Sequence, residues 1–298
     1  MAGRARAARP LTAPRPLRAG GSDLGVGQAL ALGATQGPAE LLPISSSGHV
    51  ALLPALLGWS YAELDPDLRK AFEVALHVGG ALGLVLALRR DLASELRLLT
   101  PQRAVRIAMT PVPAVIAGLL LRDAIERRFG SARSVAMAQI LAGGALWAAD
   151  RRPEARTERG LRHSDALAVG LAQAAALVPG VSRAGATLTA GRALGLDRRA
   201  AARLSREAAL PVLAGAAGLE AVRLRRRGIP RALRPAFAAG AGAAFASAIM
   251  AAPLAHSLGA ARSYAGFGAY RILLGSLALE RLRRMRAARA VASDSMRR

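Results

Sequence analysis

Three long stretches of this chain contain no charged side chain, and they limit its fold more than any other feature. They are residues 41–62, 166–182 and 235–261. Charged side chains are costly at the centre of a bilayer, and a helix needs roughly 20 apolar residues to cross the hydrocarbon. Three shorter apolar runs, bounded mostly by arginines, occur at 74–88, 107–121 and 134–149. The pattern predicts an all-α, polytopic membrane protein.

A soluble, alanine-rich helical protein is the alternative fold. Its helices would carry charges on one face at every third or fourth residue, and these segments do not. The chain has 42 Lys and Arg against 19 Asp and Glu. Such an excess often marks a nucleic-acid partner. Here the arginines lie between apolar runs, which favours membrane lipid headgroups as partners and no nucleic acid. The sequence has no cysteine, which excludes disulfides and thiolate metal sites.

One membrane domain, residues 23–280, is expected between two basic segments. Residues 1–22 lack the continuous apolar core of a signal peptide, so we expect a disordered basic extension. Residues 281–298 are expected to form a basic C-terminal tail. A polar segment at 150–164 divides the domain into a first repeat of about 23–149 and a second of about 165–280. Arginine-rich loops cannot all lie on one side, so the orientation stays open.

A similar short motif occurs once in each half. It reads LPISSSG at residues 42–48 and VPGVSRAG at residues 178–185. Proline and serine disfavour a continuous helix, and non-helical backbone at membrane depth is stable only inside protein or beside a wet cavity. We therefore expect two re-entrant helical hairpins within inverted-topology repeats. Two loops outside the membrane are the alternative.

The first motif and the helix before it concentrate reactive side chains. Gln36 and Glu40 are four residues apart and would share a helix face, which suits two oxygen ligands of a hard divalent cation such as Mg²⁺ or Ca²⁺. His49 exchanges protons near neutral pH, and a serine beside it would be an activated nucleophile. Glu73 and His77 are also four apart. We interpret them as a structural hydrogen bond between packed helices, and a second polar contact with the site is the alternative.

The second motif has the composition of a phosphate site. Ser182, Arg183 and Thr187 lie around two glycines, Gly180 and Gly185. Glycine lets backbone approach a ligand closely, and a guanidinium binds phosphate oxygens in pairs. An ionisable residue within apolar sequence is a functional candidate by default. The sequence therefore predicts that both motifs contribute to one site.

Both motifs also resemble a known family. Residues 33–49 (GATQGPAELLPISSSGH) resemble the first signature of the bacitracin-resistance-type undecaprenyl-diphosphate phosphatases, and residues 179–187 (PGVSRAGAT) resemble the second. Weaker similarity at 72–79, 110–114, 143–144 and 267–271 extends the resemblance from about residue 24 to about residue 279. It implies an all-helical, multi-pass inner-membrane enzyme with inverted repeats and two re-entrant hairpins. The implied reaction is hydrolysis of undecaprenyl diphosphate with a divalent cation, which recycles the carrier lipid for cell-wall synthesis.

The resemblance implies roles for individual side chains. Gln36 and Glu40 are expected to hold the metal, and Ser46 and His49 to perform phosphoryl attack or proton transfer. Glu40 and Arg183 complete the expected catalytic group. The expected substrate contacts are Ser45, Ser47, Ser182, Thr187 and Gly180. The implied partner is an isoprenoid lipid diphosphate, and a homodimer, the metal's identity and the choice between phosphoserine and direct water attack stay open.

Three features depart from the family pattern. Gln36 stands where many members have Glu, Ala184 replaces a common serine, and Arg206-Glu207 puts an ion pair into a usually apolar segment. These departures leave the physiological lipid open. Two other classes also stay open: a polyprenyl-phosphate transporter and a non-catalytic lipid-binding paralogue on the same fold. Ser46 and His49 favour the enzyme, because a carrier needs neither a nucleophile nor a proton shuttle.

Overall fold

The computed structural model describes residues 24–295, and these residues form helices joined by short loops. In chain order the α-helices are α1 (Val26–Leu41), α2 (Ser46–Leu57), α3 (Pro66–Ala87), α4 (Arg89–Arg97), α5 (Pro101–Met109), α6 (Pro111–Phe129), α7 (Ala132–Asp150), α8 (His163–Ala175), α9 (Arg183–Ala193), α10 (Arg198–Arg227), α11 (Arg234–Ala251), α12 (Leu254–Ala260) and α13 (Ala265–Ser295). Short 3₁₀ segments cover Ser60–Glu63, Glu158–Gly160 and Arg231–Leu233. The all-α class is thus confirmed for the described part of the chain.

Of the two predicted flanking segments, the structure describes part of the C-terminal one. Residues 1–22, the expected basic extension, lie outside the described residues. The described part of the expected C-terminal tail is helical, because α13 continues without a break to Ser295.

Several helices are built to face lipid. Among the described residues, three helical segments are long and apolar enough to cross a membrane: Pro66–Ala87, Pro101–Phe129 and Arg231–Ala251. The middle segment leaves large apolar side chains such as Leu119 and Leu120 more than three-quarters exposed. Contiguous exposed apolar surface of this kind marks contact with a membrane or a partner. The chain is therefore a membrane protein, as its charge-free stretches predict.

Each predicted motif forms a break between two helices. α2 begins after Ser45, which has a φ of 74°, and α9 begins after Ser182, which has a φ of 68°. In both breaks the serine Oγ accepts a hydrogen bond from the backbone N–H of the glycine three residues later, Gly48 or Gly185. Positive φ is uncommon for residues with a side chain, and such backbone concentrates at functional sites. The two halves therefore share the same local structure at the motif.

The two halves pack crosswise. In the first contact, α1 of the first half lies along α11 of the second, and α11 also packs on α3. In the second, α8 of the second half packs on α6 of the first. Leu32, Phe72 and Phe237, from α1, α3 and α11, share one buried cluster. Each half thus contributes apolar side chains that bury those of the other half.

Paired glycines allow α7 and α13 to come very close. A Cβ added to Gly143 would lie 2.8 Å from the carbonyl oxygen of Gly268, and one added to Gly268 would lie 2.8 Å from the carbonyl oxygen of Gly143. Small residues let membrane helices approach in this way. The neighbouring Gly144 is different, because an added Cβ there would meet no atom within 4 Å.

Gly143→Leu should therefore destabilise the protein, whereas Gly144→Leu should leave its stability nearly unchanged. Forcing extra carbon atoms into a packed contact typically costs about 1–3 kcal/mol. Both variants add the same apolar side chain at adjacent positions, so each serves as the control for the other. Thermal unfolding of both proteins in one detergent measures the difference, and equal unfolding temperatures would contradict the close contact.

Candidate active site

The two helix breaks meet in the interior. Ser47 Oγ accepts a hydrogen bond of 3.2 Å from the backbone N–H of Gly180. This contact joins the first motif to the second, which are 133 residues apart in sequence. The two motifs are therefore in direct contact in the fold, through these two residues.

A fully buried arginine of α13 binds both breaks. The guanidinium of Arg271 donates to three carbonyl oxygens, those of Pro43 (3.4 Å), Gly180 (2.9 Å) and Val181 (2.7 Å). Its Nε donates to Gln139 Oε1 at 2.8 Å, and Gln139 Nε2 donates to the carbonyl oxygen of Ile44 at 3.0 Å. Five donors in a planar fork allow one arginine to serve several acceptors. Arg271 and Gln139 thus fix the relative position of the two breaks.

Glu40 is the centre of the polar cluster at the end of α1. Its Oε2 accepts hydrogen bonds from Ser46 Oγ at 2.9 Å and from Gln36 Nε2 at 3.4 Å. Its Oε1 lies 3.8 Å from Nη2 of Arg183, and the same Nη2 donates to the Glu40 carbonyl oxygen at 3.4 Å. His77 Nε2 lies 3.9 Å from Oε2. The structure therefore brings an amide, a hydroxyl, a guanidinium and an imidazole to one carboxylate.

His49 lies in the first turn of α2 but has different partners. Its Nδ1 is 2.7 Å from the carbonyl oxygen of Ser45, and its Nε2 is 2.7 Å from the hydroxyl of Tyr270. A carbonyl oxygen only accepts, so Nδ1 carries a proton. When the ring is neutral, Nε2 accepts a hydrogen bond from the Tyr270 hydroxyl. The hydroxyl of Ser46 donates its hydrogen bond to Glu40. The sequence had instead suggested that His49 would activate a serine beside it.

The side chains predicted to contact phosphate differ in whether their polar groups are free to bind a ligand. Thr187 is fully buried, donates to backbone carbonyls of its own helix and lies 2.6 Å from Ser205 Oγ. The Ser182 hydroxyl caps α9, and Ser45 Oγ lies 3.2 Å from Ser47 Oγ. Arg183 differs, because its buried Nε has no hydrogen-bond partner in the described protein. An unused donor of this kind is available to an anionic ligand.

The oxygens at α1 fit a cation that is shared with a substrate. Gln36 Oε1 is buried without a hydrogen-bond partner, next to the Glu40 carboxylate. No group of three His, Cys, Asp or Glu side chains that could hold a metal occurs among residues 24–295. Mg²⁺ is commonly held by one or two carboxylates together with substrate phosphates and water, without a full protein cage. The residues present fit that kind of site.

A known protein family matches this chain over a range that includes both motifs. A model of the family described as bacitracin resistance protein BacA matches residues 29–277. The chain belongs to the BacA family. This match spans α1 to the middle of α13 and so includes Glu40, Ser46, His49, Arg183 and Arg271.

Several relatives are similar to this chain over most of its length. A protein from Gemmatimonas aurantiaca named undecaprenyl-diphosphatase is 40% identical over 84% of this chain and 95% of its own. A protein of the same name from Thermomicrobium roseum is 37% identical over 86% of this chain and 98% of its own. A third, from Pelobacter propionicus, is 38% identical over 83% of this chain and 93% of its own.

One departure from the family pattern has a partner in the fold. Glu207 of α10 is buried, and its Oε1 accepts hydrogen bonds from Arg103 Nε at 2.7 Å and Arg203 Nε at 3.2 Å. Arg103 of α5 is also buried and additionally contacts Glu95. The sequence suggested an ion pair between Arg206 and Glu207. In the described residues Glu207 instead pairs with Arg103 and Arg203, and Arg206 is exposed.

Proposed function

We propose that this chain is an undecaprenyl-diphosphatase, which hydrolyses undecaprenyl diphosphate to undecaprenyl phosphate and inorganic phosphate. The observation that carries the proposal is the convergence of Ser46 and Arg183 on Glu40, because it unites a nucleophile, a phosphate-binding cation and an acid from both motifs. The relatives named undecaprenyl-diphosphatase support the same reaction. Recycling of the carrier lipid for cell-wall synthesis and resistance to bacitracin follow from this activity.

The enzyme is proposed to be a multi-pass protein of the inner membrane with two inverted repeats. The matching backbone at Ser45 and Ser182 supports a repeat. The crosswise packing supports it as well, because α1 on α11 corresponds to α8 on α6 when the halves are exchanged. Both breaks lie inside the protein against Arg271, which is the environment that non-helical backbone needs at membrane depth. We therefore infer that α1–α2 and α8–α9 are re-entrant hairpins.

The reaction follows from what each side chain can donate or accept. Arg183, with its unused Nε, binds the diphosphate at the start of α9, where backbone N–H groups also favour an anion. Ser46 Oγ or a water beside it attacks the terminal phosphorus, and Glu40 is placed to accept the proton. The bond between that phosphorus and the bridging oxygen breaks, and the lipid monophosphate leaves. After attack by water, inorganic phosphate is released directly. After attack by Ser46, a water molecule hydrolyses the phosphoserine, which releases inorganic phosphate and restores the hydroxyl. Positioning and charge neutralisation provide most of the catalysis in such transfers.

His49 is proposed to act through Tyr270. The Ser45 carbonyl fixes its tautomer, and the Tyr270 hydroxyl is its contact on the other side. Tyr270 is 41% exposed, so this pair connects the buried ring to the outside of the site. Proton exchange by His49 through this hydroxyl would restore the protonation of the site after each turnover.

A divalent cation, Mg²⁺ or Ca²⁺, would be held by Glu40 and Gln36 and would neutralise the charge of the diphosphate. Gln36→Glu should then lower the cation concentration needed for half-maximal activity roughly tenfold, because affinity rises with ligand charge. Calorimetric titration of the cation in the absence of substrate should show the same change. Gln28→Glu is the matched control, since Gln28 is on the same helix but bonds to Ser60. Full activity in excess chelator would exclude this site.

The decisive assay is phosphate release from undecaprenyl diphosphate by the purified protein in detergent. Release of one phosphate per lipid, with undecaprenyl phosphate as the other product, would establish the enzyme. Saturable binding of the lipid without phosphate release would instead favour the transporter or the lipid-binding paralogue.

A further inference from the structure

One serine of α11 bonds to the backbone of α1 at two points. The Ser247 hydroxyl shares its proton between the carbonyl oxygens of Gly33 at 3.0 Å and Ala244 of its own helix at 3.1 Å. Its Oγ also accepts a hydrogen bond of 3.1 Å from the backbone N–H of Gly37. Gly33 and Gly37 are four residues apart, so these are the two groups that a regular α-helix pairs with each other. A side chain that enters such a pair is a common cause of helix bending.

The same turn of α1 is weakened by its own sequence and packed directly on α11. Pro38 has no N–H, so the carbonyl four residues before it lacks its helical donor. A Cβ added to Gly33 would collide with the carbonyl oxygen of Gly240, and one added to Gly37 would collide with the backbone of Ser247. This turn therefore depends on α11 for its position.

The turn also carries the polar cluster. Gln36 lies within it, and Glu40 follows one turn later on the same face of α1. A rotation of α1 about its axis would move the Glu40 carboxylate away from Ser46 Oγ, now at 2.9 Å, and from Arg183 Nη2, now at 3.8 Å. The bonds of Ser247 oppose that rotation, because they fix one side of the helix backbone.

The second half of the chain offers an internal comparison. The sequence separation between the two helix breaks also separates Leu177 from Glu40 and Ser247 from Thr110. The second hairpin thus has an apolar residue in place of the acid. The Thr110 hydroxyl donates to a carbonyl of its own segment, three residues earlier. In the described residues, the serine that bonds across to a hairpin therefore belongs to the hairpin with the acid.

We infer that Ser247 is a positioning residue, which holds the last turn of α1 so that the Glu40 carboxylate meets Ser46 and Arg183. The inference rests on the proposed function, because it assumes that Glu40 takes part in the reaction. The Ser247 hydroxyl bonds to backbone atoms of α1, so its effect on turnover passes through that helix.

Ser247→Ala should lower kcat for phosphate release by about tenfold or more and change KM by less than about threefold, since displacement of a catalytic group by about 1 Å can cost about 10²-fold. In a Glu40→Gln background the same substitution should lower the residual kcat by less than about twofold, because two changes that act through one group are not additive. Ser257→Ala is the matched control and should equal the wild type, since its exposed hydroxyl donates to the Leu254 carbonyl within α12.

A role in packing alone predicts a lower unfolding temperature for Ser247→Ala and an unchanged kcat of the folded protein. That result would overturn the inference. Equal losses of kcat in the wild-type and Glu40→Gln backgrounds would overturn it as well, because Ser247 would then act through a different group.

If the wild-type protein releases no phosphate, the proposed function fails instead, and the positioning is measured without turnover. Amide hydrogen exchange of residues 36–41 reports local opening of this part of α1. Ser247→Ala should raise the exchange rate about fivefold, the factor that corresponds to one net hydrogen bond, and Ser257→Ala should leave it unchanged. Unchanged exchange in Ser247→Ala would show that Ser247 does not hold the turn.

Discussion

Replacing Glu40 with glutamine should lower kcat for phosphate release by about 10²–10⁴-fold, the usual contribution of a group that transfers protons. The glutamine keeps the shape of the side chain and can still accept the hydrogen bond from Ser46. It loses the negative charge, which both proton acceptance and cation binding require. Rates at saturating lipid, measured with purified wild type and variant in one detergent, give the ratio directly.

A structural role for Glu40 predicts a different outcome. If the acid only holds α1 against its neighbours, Glu40→Gln should lower the unfolding temperature while the folded fraction keeps its kcat. Glu126→Gln is the matched control, since it removes the same charge from a half-exposed carboxylate that pairs with Lys70. An active Glu40→Gln protein would remove Glu40 from the mechanism.

Arg183→Lys should lower kcat by about 10²-fold or more with little change in stability. Lysine keeps the charge but loses the planar fork that can bind two phosphate oxygens at once. Removal of one well-placed donor to a developing negative charge typically costs about this factor. A contact made equally in substrate and transition state would instead raise KM and leave kcat unchanged, so both constants must be measured.

Arg192→Lys is the matched comparison, because Arg192 is on the same helix and has only structural partners. Its guanidinium donates to the backbone carbonyls of Leu196, Asp150 and Arg152. Leaving such buried acceptors unpaired costs about 1–3 kcal/mol, so this variant should unfold at a lower temperature with unchanged kcat. If Arg183→Lys behaves like Arg192→Lys, Arg183 is structural and the proposed phosphate contact is wrong.

The helices of this fold could be predicted from the sequence because charged side chains are costly inside a bilayer, so charge-free segments mark the membrane helices. The charge-free stretches correspond to helices or to the two breaks. The observed caps, Ser45 and Ser182, lie within the motifs at 42–48 and 178–185 that proline and serine marked as breaks. The spacing of Gln36 and Glu40 on one helix face is also as predicted, and their side chains are in contact.

The side-chain contacts between different helices could not be predicted, because helix periodicity does not show which helix packs against which. No pattern in the chain pairs His49 with Tyr270, or Ser46 with Glu40 across the break. No role was predicted for Arg271 or Gln139, although a lone arginine within an apolar segment is a functional candidate. Only the packing of α13 against α7 shows what this arginine binds.

The position of Arg271 in the chain also determines when the site can form during synthesis. Chains emerge from the ribosome with the N-terminal part first. Helices α1 and α2, which contain Glu40 and Ser46, are made first, Arg183 of α9 follows, and Arg271 of α13 comes last. Since Arg271 binds the carbonyls of both breaks, a nascent first half lacks the side chain that joins them. The finished geometry, and with it the ability to attack a lipid in the surrounding membrane, is therefore acquired only after α13 has been synthesised.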